Sequence, residues 1–482
     1  MAEPTGPSDT ASCSESDTFL PTSEKSLPPD YKRYLIYNVL HPVYVFVTSL
    51  PPKFVRKGGL QPRKKLGPTS YLDALRGWAA FIVVNHHKFP YVDLQLFQYP
   101  FFTLLTAGRA MVDIFFVISG YVLGVRQVFG VNVSYRKDSA QFLDTSSSAI
   151  FRRYIRLYPS SILATSIALL VVRLGWQVYL APQLPTFHEQ LWHWILATLH
   201  FSNPFGPVKG YYAPDAITHE YLDVLWTIPV EFRGSLVLYL FCIATCKLRT
   251  RSRMALCWTI IILCYLWSAI WAALFLMGLS IADLNLARQQ HEPQLEFSET
   301  QSRQSLASTE KPQPRPQPIR RRILMFLCLL LSLFLLGQPS SRTARQNSYF
   351  PWPYLDILIP ETLMKSGGDN LAEHFWLSIG ATLLVFSLDS YATLQTPLRW
   401  NLSQYLGEVS FGIYVMHPLV YFTFWARLMI WKEALLGTSR WTDLPAMLVY
   451  WAAVLWAAEL FTRMDCRVVA LGRWVQTRLF VW

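Results

Sequence analysis

The stretch "YLDALRGWAAFIVVNHHKF", Tyr71–Phe89, is apolar enough in its middle for a membrane helix, yet it carries Asp73, Arg76, His86 and His87. An ionisable side chain at the centre of a span costs about 2.5–3.5 kcal/mol on insertion scales, so such groups usually face a bundle interior or a water-filled cavity. At about 100° and 1.5 Å per residue, a helix puts Arg76 and His87 on one face, roughly 16 Å apart along the axis. His86 is swung away by about 80°. Asp73 precedes Arg76 by three residues and can pair with it on the helix surface. A bland reading, an ion pair plus an interfacial histidine, is also open from this segment alone.

Working outward, the 482 residues are 52% hydrophobic and only 15% charged, against about 25% charged in soluble domains. That balance predicts an all-α, polytopic membrane helical bundle. About ten apolar segments approach the ~20 residues a span needs: 72–88, 109–126, 159–176, 223–245, 254–268, 269–284, 322–338, 372–389, 403–430 and 443–463. The division between the fifth and sixth is expected near Ser268. With the N-terminus inside, inner segments hold 31 Lys and Arg against 8 in outer loops, a bias that predicts both termini in the cytoplasm. The net charge of +12 is then explained by loops that meet anionic lipid. No basic, aromatic-interleaved groove or nucleic-acid motif is present, and the seven cysteines show no metal or redox spacing.

Residues 1–70 read as a cytoplasmic N-terminal segment. Its first 30 residues are rich in Ser, Thr and Pro and read as disordered, and 34–50 read as an interfacial helix interrupted at His41-Pro42. Residues 71–465 form the membrane domain, with a polar cytoplasmic linker at 285–322 that ends in Arg320-Arg321-Arg322. Residues 466–482 read as a basic C-terminal tail.

Further ionisable groups lie in or beside the apolar segments. "RAMVDIFFVISGYVLGVRQVF" puts Asp113 near the outer end of the second span, and "VLWTIPVEFRGSLVLYLF" puts Glu231 and Arg233 in the fourth. "SFGIYVMHPLVYFTFW" puts His417 midway along the ninth. "FRRYIRLYP" is expected on the cytoplasmic side, just ahead of the third span. Its Arg153 and Arg156 offer adjacent guanidinium forks of the kind that suits phosphate; an ordinary positive-inside flank would look the same.

The order "YLDALRGWAAFIVVNHH", "FFVISGYVL", "RRYIRLYP", "LWTIPVEF" and "GEVSFGIYVMHPLV" resembles the acyltransferase 3 family of membrane acyltransferases, in its fungal-type members, over about residues 71–465. The family's Arg, ten intervening residues and His fall on Arg76 and His87, and its Arg-x-x-Arg pair falls on Arg153 and Arg156. The resemblance implies ten membrane helices and transfer of an acyl group, often acetyl, from acyl-coenzyme A to a hydroxyl of a small molecule, such as a secondary metabolite, or of a surface glycan. It also implies donor handling by Arg153 and Arg156. No bound cofactor or metal is expected; acyl-coenzyme A is a co-substrate. A neutral imidazole suits a base at cellular pH, so His87 is the expected base, Asp113 or Glu231 its orienting acid, and Arg76 a grip on the donor. A proton-coupled transporter, with His87, Glu231 and His417 as a relay, is the rival reading.

Overall fold

A computed structural model describes residues 51–480, apart from 57, 62–65, 89–98, 130–138, 177–180, 208–216, 304–317, 340–341, 349 and 366–370. The disordered N-terminus and the interfacial helix expected over 34–50 lie outside the described residues. Among the described residues the regular structure is helical, apart from one isolated bridge between His219 and Leu222.

The helices that frame the interior run in chain order as α1 (Ser70–Lys88), α2 (Gly108–Phe129), α3 (Ser139–Arg173), α4 (Phe187–Phe201), α5 (Thr227–Thr245), α6 (Thr250–Leu266) and α7 (Ile270–Arg303). They continue as α8 (Ile319–Leu336), α9 (His374–Ser390), α10 (Asn401–Glu408), α11 (Ser410–Val420), α12 (Ala426–Leu436) and α13 (Asp443–Leu479). Each of the ten apolar segments is helical. Seven of the resulting helical stretches are long and apolar enough to cross a membrane by length and composition. The other three segments lie on α1, α6 and α8. Charge explains α1, α6 has only 17 residues, and α8 spends its first turn on Arg320, Arg321 and Arg322. Short spans are accommodated by local thinning and by snorkelling of flanking basic groups.

The expected break near Ser268 is present. α6 ends at Leu266, α7 starts at Ile270, and Ser268 between them has φ 58°. Other boundaries differ from expectation. The third span does not begin at Pro159, because α3 is one helix of 35 residues with Pro159 inside it. A proline removes one N–H and strains one turn, and the helix formers on both sides carry the pattern through. Consequently "FRRYIR" is part of a bundle helix and not a flank. α7 carries on to Arg303, into the segment expected as a linker, and α13 runs through the expected tail to Leu479. The ninth segment is broken: α11 contains Pro418 and passes through a π-helical turn at Tyr421–Trp425 into α12. Pro418 withholds the N–H that would bond the residue four back, Tyr414, and such π turns recur at functional sites.

α2 is the hub, packed on α1, α5, α7 and α9. Its tightest contact is with α7, where a Cβ on Gly120 would run into the Phe275 carbonyl and one on Gly278 into the Val117 carbonyl. Lipid tails are as apolar as the side chains, so small residues that let backbones approach supply packing contact in place of a hydrophobic drive. α1 lies between α2, α10 and α11, and α13 lies along α3 and α11. Thus the charged first helix is enclosed by partners.

Candidate active site

α1, α2, α3, α5, α11 and α13 converge around a cavity of about 310 Å³. That is within the usual range of ligand pockets, about 300–1,000 Å³. One part of its wall is apolar, with Val112, Phe115, Phe116 and Val122 from α2. The other is crowded with charge: Arg76 from α1, Arg152, Arg153 and Arg156 from α3, Glu231 from α5, and Asp465 and Arg473 from α13. Three of the residues expected to act on the donor, Arg76, Arg153 and Arg156, therefore meet in one place.

A hydrogen-bonded chain ties them together. Arg153 Nη2 lies 2.6 Å from Glu231 Oε1, and the same oxygen accepts from Ser119 Oγ at 3.0 Å. Ser119 Oγ in turn accepts from Arg76 Nη2 at 3.4 Å. Arg76 also keeps the expected partner, with its Nη1 at 3.7 Å from Asp73 Oδ1. Arg153 retains a buried Nε–H with no acceptor. Among the described residues Arg156 forms no hydrogen bond or ion pair. It is exposed and lines the cavity. Such guanidinium groups match phosphate oxygens in geometry and charge.

The histidines lie at the other end of α1. His86 Nδ1 bonds the Thr106 carbonyl at 2.8 Å, and the carbonyl can only accept, so this ring is held as a structural donor. His87 instead faces α11: its ring centroid is 5.4 Å from that of His417, with 25° between the planes. Helix phase and contacts thus separate the adjacent pair in the same sense.

The expected orienting acids are engaged elsewhere. Asp113 is fully buried and its Oδ1 lies 2.8 Å from Nδ1 of His374 on α9. Glu231 belongs to the arginine cavity. Two different faces of α2 explain the separation: Ser119 and Phe116 turn to the cavity, while Asp113 turns towards α9. Neither acid is the partner of the His87 ring, and Asp113 is not part of the cavity wall.

Sequence reasoning missed several residues that the fold recruits. Arg152 was legible as the first Arg of "RRYIR". Ser119 carried no signal beyond its place in "FFVISGYVL". Asp465 and Arg473 reach the cavity because α13 does not stop at the membrane boundary. His417 was visible, but its nearness to His87 depends on the pairing of α1 with α11. Among the described residues, no group of three or more His, Cys, Asp or Glu side chains could hold a metal ion.

Comparison with known proteins bears on what this arrangement does. A family model described as an acyltransferase domain, that of the acyltransferase 3 family, matches residues 69–463. The O-acetyltransferase PaAT-1 of Phomopsis amygdali is 29% identical over 451 residues, covering 86% of this chain and 86% of that protein. Acyltransferase R4 of a Phoma species is 23% identical over 462 residues, covering 82% of this chain and 92% of its own. Acyltransferase clz18 of Cochliobolus lunatus is 23% identical over 447 residues, covering 82% and 91%. No solved structure matches.

Proposed function

The chain belongs to the acyltransferase 3 family, and from that premise we propose that it is an O-acyltransferase moving an acetyl group from acetyl-coenzyme A to a hydroxyl. The name of the Phomopsis relative, an O-acetyltransferase, supports both the acyl group and the oxygen acceptor. A small-molecule hydroxyl, such as that of a secondary metabolite, is the proposed acceptor, with a surface glycan as the other class the family admits.

The observation that carries this reading is the arginine cavity. Coenzyme A holds its phosphates at one end and its thioester at the end of a long flexible arm. Arg76, Arg153 and Arg156 line one cavity at one end of α1, while His87 lies 11 residues further along from Arg76, roughly 16 Å. The donor's phosphates bind at the guanidinium end and the arm reaches towards the imidazole end. His87 takes the acceptor's hydroxyl proton as the oxygen attacks the thioester carbonyl, a role worth typically ~10²–10⁴-fold. The C–S bond breaks, and the proton passes from His87 to the departing thiolate. Glu231 holds Arg153 in place for the donor. The charge bias of the loops supports a cytoplasmic position for both termini and the phosphate end, and with it a donor that comes from the cytoplasm.

Purified protein in lipid nanodiscs, given radiolabelled acetyl-coenzyme A and an extract of small hydroxylated metabolites, is expected to release free coenzyme A thiol and to label a metabolite. Absence of both, from protein that is folded and monodisperse, would remove the reading.

A further inference from the structure

The arginines of the cavity do not all have the same surroundings. Arg153 is bonded to Glu231, Arg76 lies by Asp73, and Arg156 has Asp465 and Glu231 near it through space. Arg152 is placed differently. Its Nε–H donates to the Ser148 carbonyl one turn back at 3.2 Å, and the formal charge that bears on it is the like charge of Arg473 on α13. Both arginines line the cavity.

Helix geometry explains how two like charges come together. Asp465, Val469, Gly472 and Arg473 line the cavity, and their spacing puts them within about 100° of one another on α13. Arg467 and Arg478 are swung more than about 100° from Arg473, as suits basic groups that snorkel at a membrane boundary. α13 is held in this phase against α3 at two points. A Cβ on Gly472 would sit 2.5 Å from Ile155 Cγ2, so the glycine lets the helices lie close. One turn on, Gln476 Nε2 donates to Ser148 Oγ at 2.6 Å. Ser148 thus receives Arg152 at its carbonyl and α13 at its hydroxyl, and Arg473 stays beside Arg152 although the two repel. Among the described residues Arg473 forms no hydrogen bond or ion pair. It is exposed, and its planar fork is open to an anion.

Coenzyme A carries phosphate in two places: a 5′-diphosphate that leads to the thioester arm, and a monoester at the 3′ position of the same ribose. Arg152 and Arg156 are one turn apart on α3, about 6 Å, so the cavity likewise offers two cationic places side by side. We propose that Arg473, with Arg152 beside it, is the specificity determinant for the 3′-phosphate, while Arg76, Arg153 and Arg156 hold the diphosphate. This rests on the acyl-transfer reading above. A phosphate monoester brings about −1.5 to −2 charge at pH 7 and three acceptor oxygens. That is the charge a pair of like-signed guanidinium groups lacks where no carboxylate is set between them. The other three arginines already share Glu231, Asp73 and Asp465, so the 3′-phosphate is assigned to the pair that has none of these acids.

The test is calorimetric titration of purified protein in nanodiscs with coenzyme A and with dephospho-coenzyme A, which lacks only the 3′-phosphate. The wild type is expected to bind coenzyme A at least ~10-fold more tightly, from the charge-assisted bonds to that group. Arg473→Gln is expected to bring the two affinities within about threefold by weakening coenzyme A alone, with dephospho-coenzyme A within about twofold of its wild-type value. Arg478→Gln, off that face of α13, is expected to keep the wild-type preference. If Arg473→Gln does not fold, judged by size-exclusion chromatography, Arg473→Ala takes its place in the same comparison. A wild type without the preference overturns the proposal, as does an Arg473 variant that keeps it or that weakens both ligands equally. A wild type that binds neither ligand overturns instead the acyl-transfer reading on which the proposal rests.

Discussion

Arginine occurs in two kinds of interior place in this bundle. Between α6 and α7, Arg253 meets Asp283 through bonds of 2.8 and 2.6 Å, with the two side chains 3% and 5% exposed. Outside the spans, Arg345 Nε meets Asp356 Oδ1 at 2.9 Å, and Gln346 bonds the other oxygen of the same carboxylate. Around the cavity, five arginines face two carboxylates, Glu231 and Asp465. Even with Asp73 beside Arg76, positive charge is left over. A buried pair that is matched holds helices together and has nothing to offer a ligand. A surplus of one sign lining a cavity is costly unless something of opposite charge arrives. The difference separates arginine as a structural clamp from arginine as a binding surface, although both are legible in the sequence only as "Arg in or near a span".

Removing one member of each group tests that distinction most severely. Asp283→Ala strands Arg253 in the core and is expected to cost about 3–5 kcal/mol of stability, seen as a large loss of thermal stability in detergent. Arg156→Ala removes a cation that meets its nearby acids, Asp465 and Glu231, through space and not through a bond, and is expected to change stability by less than about 1 kcal/mol. Equal destabilisation by the two variants would break the comparison.

The next effect is on chemistry. His87→Ala is expected to lower acyl transfer by ~10²–10⁴-fold with normal expression and membrane insertion. His86→Ala is expected to stay active, because His86 is spent on the Thr106 carbonyl. The reverse pattern of activities would reassign the base. A smaller effect is expected for the donor. Charge-assisted hydrogen bonds contribute about 1.5–3 kcal/mol, so Arg153→Ala or Arg156→Ala is expected to raise the KM for acetyl-coenzyme A at least ~10-fold and to leave that of the acceptor within about twofold. A KM for the donor that stays at the wild-type value would remove these residues from donor binding.

The smallest effect concerns a group whose burial is answered by giving up charge, not by pairing it. In the loop ahead of α5, His219 accepts from the Tyr221 N–H at Nδ1 and lies 3.2 Å from Thr198 Oγ1 at Nε2. Burial, helped by nearby His193, pushes its pKa down from 6.5 to about 4. The unfolded chain therefore binds more protons between those values. The stabilisation is complete above pH 6.5 and declines as pH falls towards 4, by at most about 1.4 kcal/mol per pH unit. Limited proteolysis within residues 203–222 is expected to quicken between pH 7 and pH 5 in the wild type, and to change less in His219→Gln. Equal acid sensitivity in both would assign the effect to other groups.

The fold was legible where hydrophobic runs and positive charge set it: each of the ten apolar segments is helical, and the Ser268 break falls where α6 and α7 part. Boundaries failed where a local signal was overridden. Pro159 looks like a helix start and is an interior residue of α3, because packing on α5 and α13 outweighs one lost hydrogen bond. The polar run after residue 285 and the basic run after 465 look like linker and tail, yet α7 and α13 continue into them. In the site, the shared face of Arg76 and His87 and the spacing of Arg153 and Arg156 follow from helix geometry alone. The partners do not. That Glu231 binds Arg153, that Asp113 binds His374 and that His417 lies against His87 are consequences of which helices pack together, and a single sequence holds no record of such pairings.

The central claim, that the surplus of arginine is there for the donor's phosphates, is tested most directly by calorimetric titration of coenzyme A into purified protein in nanodiscs. The wild type is expected to bind one equivalent, and the double variant Arg153→Ala/Arg156→Ala is expected to bind at least ~10-fold more weakly, from the loss of charge-assisted bonds. Equal affinity in the two proteins would contradict the account.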